Sequence, residues 1–110
     1  MKEKLPFVSV VIASFNRKYI IEESISSALN QDYPKEDFEV IVVDNNSTDG
    51  TVNEVLNVFP KEIKEGKLKL VPLTYNSGSS GSYVEALFHL NPKWQYLLKM
   101  MKILSWISLA

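Results

Sequence analysis

Apolar and polar positions along this chain switch repeatedly between the period of a strand and the period of a helix. From Phe7 to Ala13 the run is almost wholly apolar, and Val8, Val10, Val11 and Ile12 are β-branched, which marks a strand. Ile21, Ile25, Ala28 and Leu29 then fall at i, i+4, i+7 and i+8, on one face of a helix, with Glu22, Glu23, Ser26 and Asn30 pointing away. Asp32-Tyr33-Pro34 is expected to end that helix, because proline lacks a donor and restricts the residue before it. Phe38 to Val43 reads as a second strand. Val52, Val55, Leu56 and Phe59 mark a second helix, closed by Pro60 unless Lys61 to Glu65 add a turn. Lys67 to Val71 alternates, as expected of a strand exposed on one face or near an edge. Val84, Leu87 and Phe88 suggest a third helical face, stopped by Asn91-Pro92, and Trp94 to Met100 is a fourth strand candidate. Thr51 with Glu54, and Ser82 with Glu85, have the spacing of a capping box.

Strand–helix, strand–helix, strand–helix, strand is the order of βαβ units, so the pattern predicts an α/β fold with right-handed crossovers and a parallel sheet. Val40-Ile41-Val42-Val43 is apolar at every position, as in a strand buried on both faces. It runs into Asp44-Asn45-Asn46-Ser47-Thr48-Asp49-Gly50, which then opens a helix. Parallel sheets bind ligands outside the carboxyl ends of their strands, so this loop is a candidate small-molecule site; its residues are equally those of an ordinary turn.

The chain has 110 residues, 45% hydrophobic and 23% charged, which suits one small globular domain. Its net charge of −1 gives no electrostatic reason to expect nucleic acid as a partner. With no cysteine and one histidine, His89, it offers no disulfide framework, no thiol nucleophile and no multi-histidine metal centre. A metal here would need carboxylates, which suits Mg or Mn better than zinc. No run approaches the roughly 20 apolar residues of a membrane span. The N-terminus imitates a signal peptide only faintly, since Pro6 and Ser9 interrupt it, so a cytoplasmic location is expected.

Three loops follow the first three strands, at 13–17, 44–50 and 74–81, and a parallel sheet would open them on one edge. They bring an aromatic ring (Phe15), amides (Asn16, Asn45, Asn76), an acid (Asp44) and two glycines (Gly78, Gly81). An aromatic face can stack on a nucleobase, and acids and amides can bond base or ribose edges. Glycines beside a helix N-terminus let backbone N–H groups approach phosphate. Each element also has a plain account. Asn76 to Ser82 reads equally as a flexible Gly/Ser connector, and Phe15 as packing against the first helix. His89 reads as a solvent-facing or C-terminal capping residue, Asp49 as a helix-start residue, and the charges of Lys61 to Lys69 as a solvated edge. There is no Gly-Lys-Ser/Thr phosphate loop and no Gly-x-Gly-x-x-Gly after the first strand, which weighs against nucleoside triphosphatases and dinucleotide-dependent dehydrogenases.

The combination of Val8-Ser9-Val10-Val11-Ile12-Ala13-Ser14-Phe15-Asn16-Arg17, Val40 to Thr51, and Asn76-Ser77-Gly78-Ser79-Ser80-Gly81, with Asp32-Tyr33-Pro34 between the first two, resembles family 2 glycosyltransferases. The resemblance covers residues 6 to about 100 and leans toward the rhamnosyl- and galactofuranosyl-transferase side of the family. It implies a partial GT-A, Rossmann-like sheet of about four mostly parallel strands with three helices. It also implies sugar transfer from a nucleotide-diphosphate donor to a glycan or lipid-linked acceptor. Ala13, Ser14, Phe15 and Asn16 would line the base and ribose pocket. Asp44 and Asn45 would contact base and ribose, and Asn76, Gly78 and Gly81 would lie near the donor. Asn45 stands where the family often has a second acid. The implied surroundings are the cytoplasm, with peripheral association at the inner membrane face.

One departure bears on activity. Such enzymes carry an Asp-x-Asp motif after the fourth strand to hold Mn or Mg on the diphosphate, and no acid follows Glu85 here. Residues 1–100 would be a truncated nucleotide-sugar-binding domain, with no catalytic residue of its own and without metal ligands. Residues 101–110 would be an atypical apolar tail able to drive self-association. Reading Met101-Lys102-Ile103 from one base earlier gives Asp, Glu, then Asp or Asn, so a base lost near codon 100 is the expected origin of the tail. A non-catalytic nucleotide-binding module and an inactive remnant are the alternatives.

Overall fold

The computed structural model of the chain describes residues 5–90. Among these residues the order is β1 (Val8–Ser14), α1 (Ile21–Leu29), a 3-10 turn (Lys35–Asp37), β2 (Phe38–Asp44), α2 (Thr51–Val58), α3 (Pro60–Lys64), β3 (Leu68–Pro72) and α4 (Gly78–Leu87). The strands form one parallel sheet in the order β1-β2-β3, with Ser14, Asp44 and Pro72 aligned at its C-terminal edge.

The alternation of side chains across the sheet divides the core in two. Val8, Val10, Ile12, Val40, Val42, Leu68 and Leu70 face the side covered by α1, α2 and α3. Val11, Ile41, Val43 and Val71 face α4. β2 is buried along its whole length, as its unbroken apolar run requires of a strand covered on both faces. Each of its four central residues contributes about 1.5–3 kcal/mol relative to exposure.

The helical periods place α1 and α2 well. Ile21 and Ile25 are buried and Ala28 and Leu29 pack beside them, while Val55 and Phe59 seal α2 against the same face. Leu56 lies outside that seal, 47% exposed. α1 stops at Leu29, before Asp32-Tyr33-Pro34, and the Lys35 ammonium and Gln31 amide take its last carbonyls. The turn expected beyond Pro60 is α3, with proline at its first position, where a missing N–H costs nothing.

α4 departs from its expected form. It begins at Gly78, so Asn76 to Ser82 is not a flexible connector, and Ser82 lies inside the helix rather than capping it. Its packed face is Ser82 and Ala86, both fully buried, whereas Val84 and Phe88 are exposed. Small residues let the helix lie close on Ile41, Val43 and Val71. Lys69 is also more than a solvated charge. Its ammonium lies 2.9 Å from the carboxylate of Glu39, a buried acid on the α4 face, and donates to the carbonyl of His89, whose own residue is exposed. The Ser9 hydroxyl donates to the other Glu39 oxygen at 2.7 Å. The strand expected at Trp94 to Met100 and the apolar tail 101–110 lie outside the described residues.

Candidate functional site

The parallel sheet sends the loops after β1, β2 and β3 to one edge, as expected. These loops are stitched to each other before any ligand is considered. After β1, Asn16 takes a left-handed backbone conformation (φ +51°), which Asn tolerates better than most residues. That turn aims its N–H at the Ser47 hydroxyl (2.8 Å), while its side-chain oxygen accepts the Thr48 N–H (2.8 Å). The Arg17 N–H donates to the Thr51 hydroxyl (3.1 Å) and the Lys18 N–H to the Asp49 carboxylate (3.1 Å).

Asp44 ends β2 almost wholly buried. One carboxylate oxygen accepts the Ser47 N–H at 2.8 Å and the other accepts the Ser47 hydroxyl at 2.6 Å, so the side chain folds the loop back on itself. Asp49 does the equivalent work at the start of α2. It accepts the Thr51 N–H at 3.0 Å and the Thr51 hydroxyl, while Gly50 (φ +92°) makes the left-handed turn into the helix. The Thr51 hydroxyl does most to hold the Asp49 carboxyl below its usual value; burial opposes it, and the Lys18 and Thr51 N–H groups add to the lowering. Asp49 is thus the helix-start residue it was expected to be. Thr51 is the first helical residue rather than the cap, and its expected capping box with Glu54 is absent.

Asn45 is 5% exposed and reaches toward α4. Its carboxamide oxygen accepts both the N–H (3.1 Å) and the hydroxyl (2.7 Å) of Ser77, and its amide nitrogen donates to the Gly78 carbonyl (3.4 Å) and the Ser82 hydroxyl. Asn76 is exposed and receives the Gly78 N–H at 2.8 Å, capping the first turn of α4. Gly78 holds φ +73° with open space where a Cβ would point. At Gly81 a Cβ would lie 2.6 Å from that of Ser77, so this glycine makes room for its own helix turn.

The structure therefore gathers Ala13, Ser14, Phe15, Asn16, Asp44, Asn45, Asn76 and Gly78 at the C-terminal edge and its loops. Ala13 and Ser14 pair with Val43 and Asp44 across the strands. Ser14 is 2% exposed and its hydroxyl has no partner among the described residues. Phe15 stands 44% exposed, so it is not absorbed by packing on α1. The residues missed in the sequence are Ser47, Ser77 and Ser82, which hold the loops together. Ser47 stands three residues after Asp44, within local reach of its carboxylate, a readable signal; the Asn45 partner of Ser77 and Ser82 lies more than 30 residues away and leaves none.

The described residues contain no group of three or more acids or histidines able to hold a metal ion. Asp44 already spends both oxygens on Ser47. The described residues thus show no preformed cluster for a divalent ion, and no chemistry is routed through one. No described helix is long and apolar enough to cross a membrane. An open cleft of about 330 Å³ lined by Leu29, Lys35, Phe38, Phe59 and Lys67 lies at the N-terminal ends of the strands, away from these loops.

The family model for glycosyl transferase family 2 matches residues 9–98. The chain belongs to glycosyl transferase family 2. A poly(ribitol-phosphate) beta-glucosyltransferase from Bacillus spizizenii is 37% identical over 75 residues, 68% of this chain and 11% of that protein. Among solved structures, the mannosyltransferase PcManGT from Pyrobaculum calidifontis, in complex with GDP-Man and Mn2+, superposes with a TM-score of 0.71 at 35% identity, covering 78% of this chain and 25% of its own. S. aureus TarS in complex with UDP-GlcNAc does so with a TM-score of 0.59 at 38% identity, covering 77% of this chain and 24% of its own. The chain thus spans about a tenth to a quarter of the length of these family 2 proteins. Their names lend no support to the lean toward rhamnosyl and galactofuranosyl enzymes.

Proposed function

We propose that this chain is the donor-binding part of a family 2 glycosyltransferase that moves a sugar from a nucleotide diphosphate to a glycan or lipid-linked acceptor. The nucleoside end of the donor docks on the C-terminal edge of β1 and β2. The observation that carries this reading is the convergence of the three post-strand loops on one edge of a parallel sheet, around an exposed Phe15, in a chain whose structural neighbours hold nucleotide sugars. Phe15 offers its ring for stacking on the base. The backbone of Ala13, Ser14 and Asn16 and the first turn of α4, at Asn76 and Gly78, border the sugar and diphosphate. Residues 1–100 form this unit. A divalent ion, Mn or Mg, would supply charge neutralisation at the diphosphate in the whole enzyme, and the described residues offer no cluster of acids to hold it. A cytoplasmic place, meeting acceptors at the inner membrane face, goes with this function.

The test is titration of the purified chain with UDP-, GDP- and dTDP-linked sugars, with and without Mn. Saturable binding of one nucleotide series, weakened about tenfold or more by Phe15→Ala, is expected from the loss of one stacking contact. A folded chain that binds none of the three would overturn the donor site. Binding without transfer would identify a non-catalytic module. Metal-dependent binding would place metal ligands within this chain.

A further inference from the structure

Asn45 carries a use that its place in the loop does not suggest. A carboxamide has two acceptor positions and two N–H donors, and here all four are engaged. The orientation of the amide is forced, because the Ser77 N–H can only donate and the Gly78 carbonyl can only accept. Ser82, fully buried, closes the set by donating its hydroxyl to the same Gly78 carbonyl at 3.0 Å. The two glycines of this segment serve the same arrangement. Gly78 takes the left-handed turn that presents its carbonyl inward, and Gly81 leaves the space that Ser77 fills.

We infer that Asn45 is a positioning residue for the donor site: its side chain does not touch the nucleotide but latches the first turn of α4 to the C-terminal end of β2. This rests on the proposed donor site and revises the part Asn45 would play in it. A ligand competing for this amide would have to break the bonds of a residue only 5% exposed to solvent and replace each of them. The latch also requires an amide. An aspartate at 45 could accept from Ser77, but its second oxygen would face the Gly78 carbonyl with no proton between them. The asparagine that departs from the family's paired acids is therefore matched to Ser77 and Ser82 in this chain.

The test is a double-mutant cycle on the full chain with Asn45→Asp, Ser77→Ala and the pair. Affinity for UDP and GDP, unfolding, and backbone amide exchange at residues 77–82 are each measured. The expected result is that Asn45→Asp and Ser77→Ala each weaken the preferred nucleotide by roughly tenfold without changing which base is preferred. The pair should be no worse than the stronger single variant, and amide exchange at Ser77 should rise in both. Two results overturn the inference. One is Asn45→Asp altering the choice between uracil and guanine with no coupling to Ser77, as direct contact would. The other is coupling in unfolding and exchange with nucleotide affinity unchanged, which leaves a purely structural latch. If the unmodified chain binds neither nucleotide, the donor site and the positioning role fall together, and the exchange data alone report whether the latch exists.

Discussion

Replacing Gly81 by alanine sets two effects of opposite sign against each other. Gly81 lies inside α4, where glycine to alanine ordinarily stabilises a helix by about 1 kcal/mol. The added Cβ would stand 2.6 Å from the Ser77 Cβ and 2.8 Å from its hydroxyl. Carbon atoms in contact rest roughly 3.5–4.0 Å apart, so Ser77 has to retreat by about 1 Å. Its Cβ is fixed by the backbone and cannot rotate away. Retreat therefore draws both the N–H and the hydroxyl of Ser77 off the Asn45 oxygen. Overpacking of this kind costs about 1–3 kcal/mol, and the two hydrogen bonds add about 1 kcal/mol each. The clash wins, and Gly81→Ala should destabilise the chain by about 2–4 kcal/mol. For a domain of this size that lowers Tm by roughly 8–30 °C. Thermal unfolding followed by circular dichroism reads the effect, and the background separates its causes. With Ser77→Gly the obstructing Cβ is gone, and adding Gly81→Ala should then be neutral or stabilising by up to about 1 kcal/mol. A higher Tm for Gly81→Ala alone would refute the reasoning.

Lys69→Met should destabilise by about 2–4 kcal/mol, because it removes the cation 2.9 Å from the buried Glu39 carboxylate. Glu39→Leu combined with Lys69→Met should return to within about 1 kcal/mol of the parent, as measured by urea unfolding; a neutral Lys69→Met would contradict the ion pair. For acid, the sign follows from the lowered Asp49 carboxyl. Its contribution is present above the ordinary carboxylate range and is lost as pH falls through its depressed value. The amide resonances of Lys18 and Thr51 should shift together on that acid limb, and Asp49→Asn should abolish the shift; independent titration of the two amides would separate them from Asp49.

What could be read in the chain and what could not divide along a physical line. The β2 run and the faces of α1 and α2 were legible because burial imposes a local period on Val40 to Val43, on Ile21 and Ile25, and on Val55 and Phe59. The loops at the C-terminal edge followed from strand order alone. α4 was misread because the face that matters is Ser82 and Ala86, which are small, while its larger residues Val84 and Phe88 stand outside. A reading by hydrophobicity follows the large residues. The capping expectations failed for a related reason: Thr51 and Ser82 have the chemistry of caps, but the Thr51 hydroxyl is taken by Arg17 and Asp49, and that of Ser82 by Asn45 across the sheet edge and by the Gly78 carbonyl. The contacts with Arg17 and Asn45 depend on which strands are neighbours, and spacing does not encode that.

The polar contacts of α4 show how it is held at the sheet edge. The described buried side chains of the helix, Ser82 and Ala86, are small, so they bury little apolar surface. The helix is instead pinned near both ends. Asn45 holds its first turn to the end of β2, and Lys69, drawn in by Glu39, holds the His89 carbonyl just past its last turn. Asp44 and Asn16 similarly spend their side chains on the loop between β2 and α2. Asn16, Asp44 and Asn45 thus each help to build the frame. Recognition at this edge would then fall to the exposed ring of Phe15 and to backbone groups. Mutations that break the frame and mutations that remove Phe15 should accordingly separate: the first lowers stability and affinity together, the second lowers affinity alone.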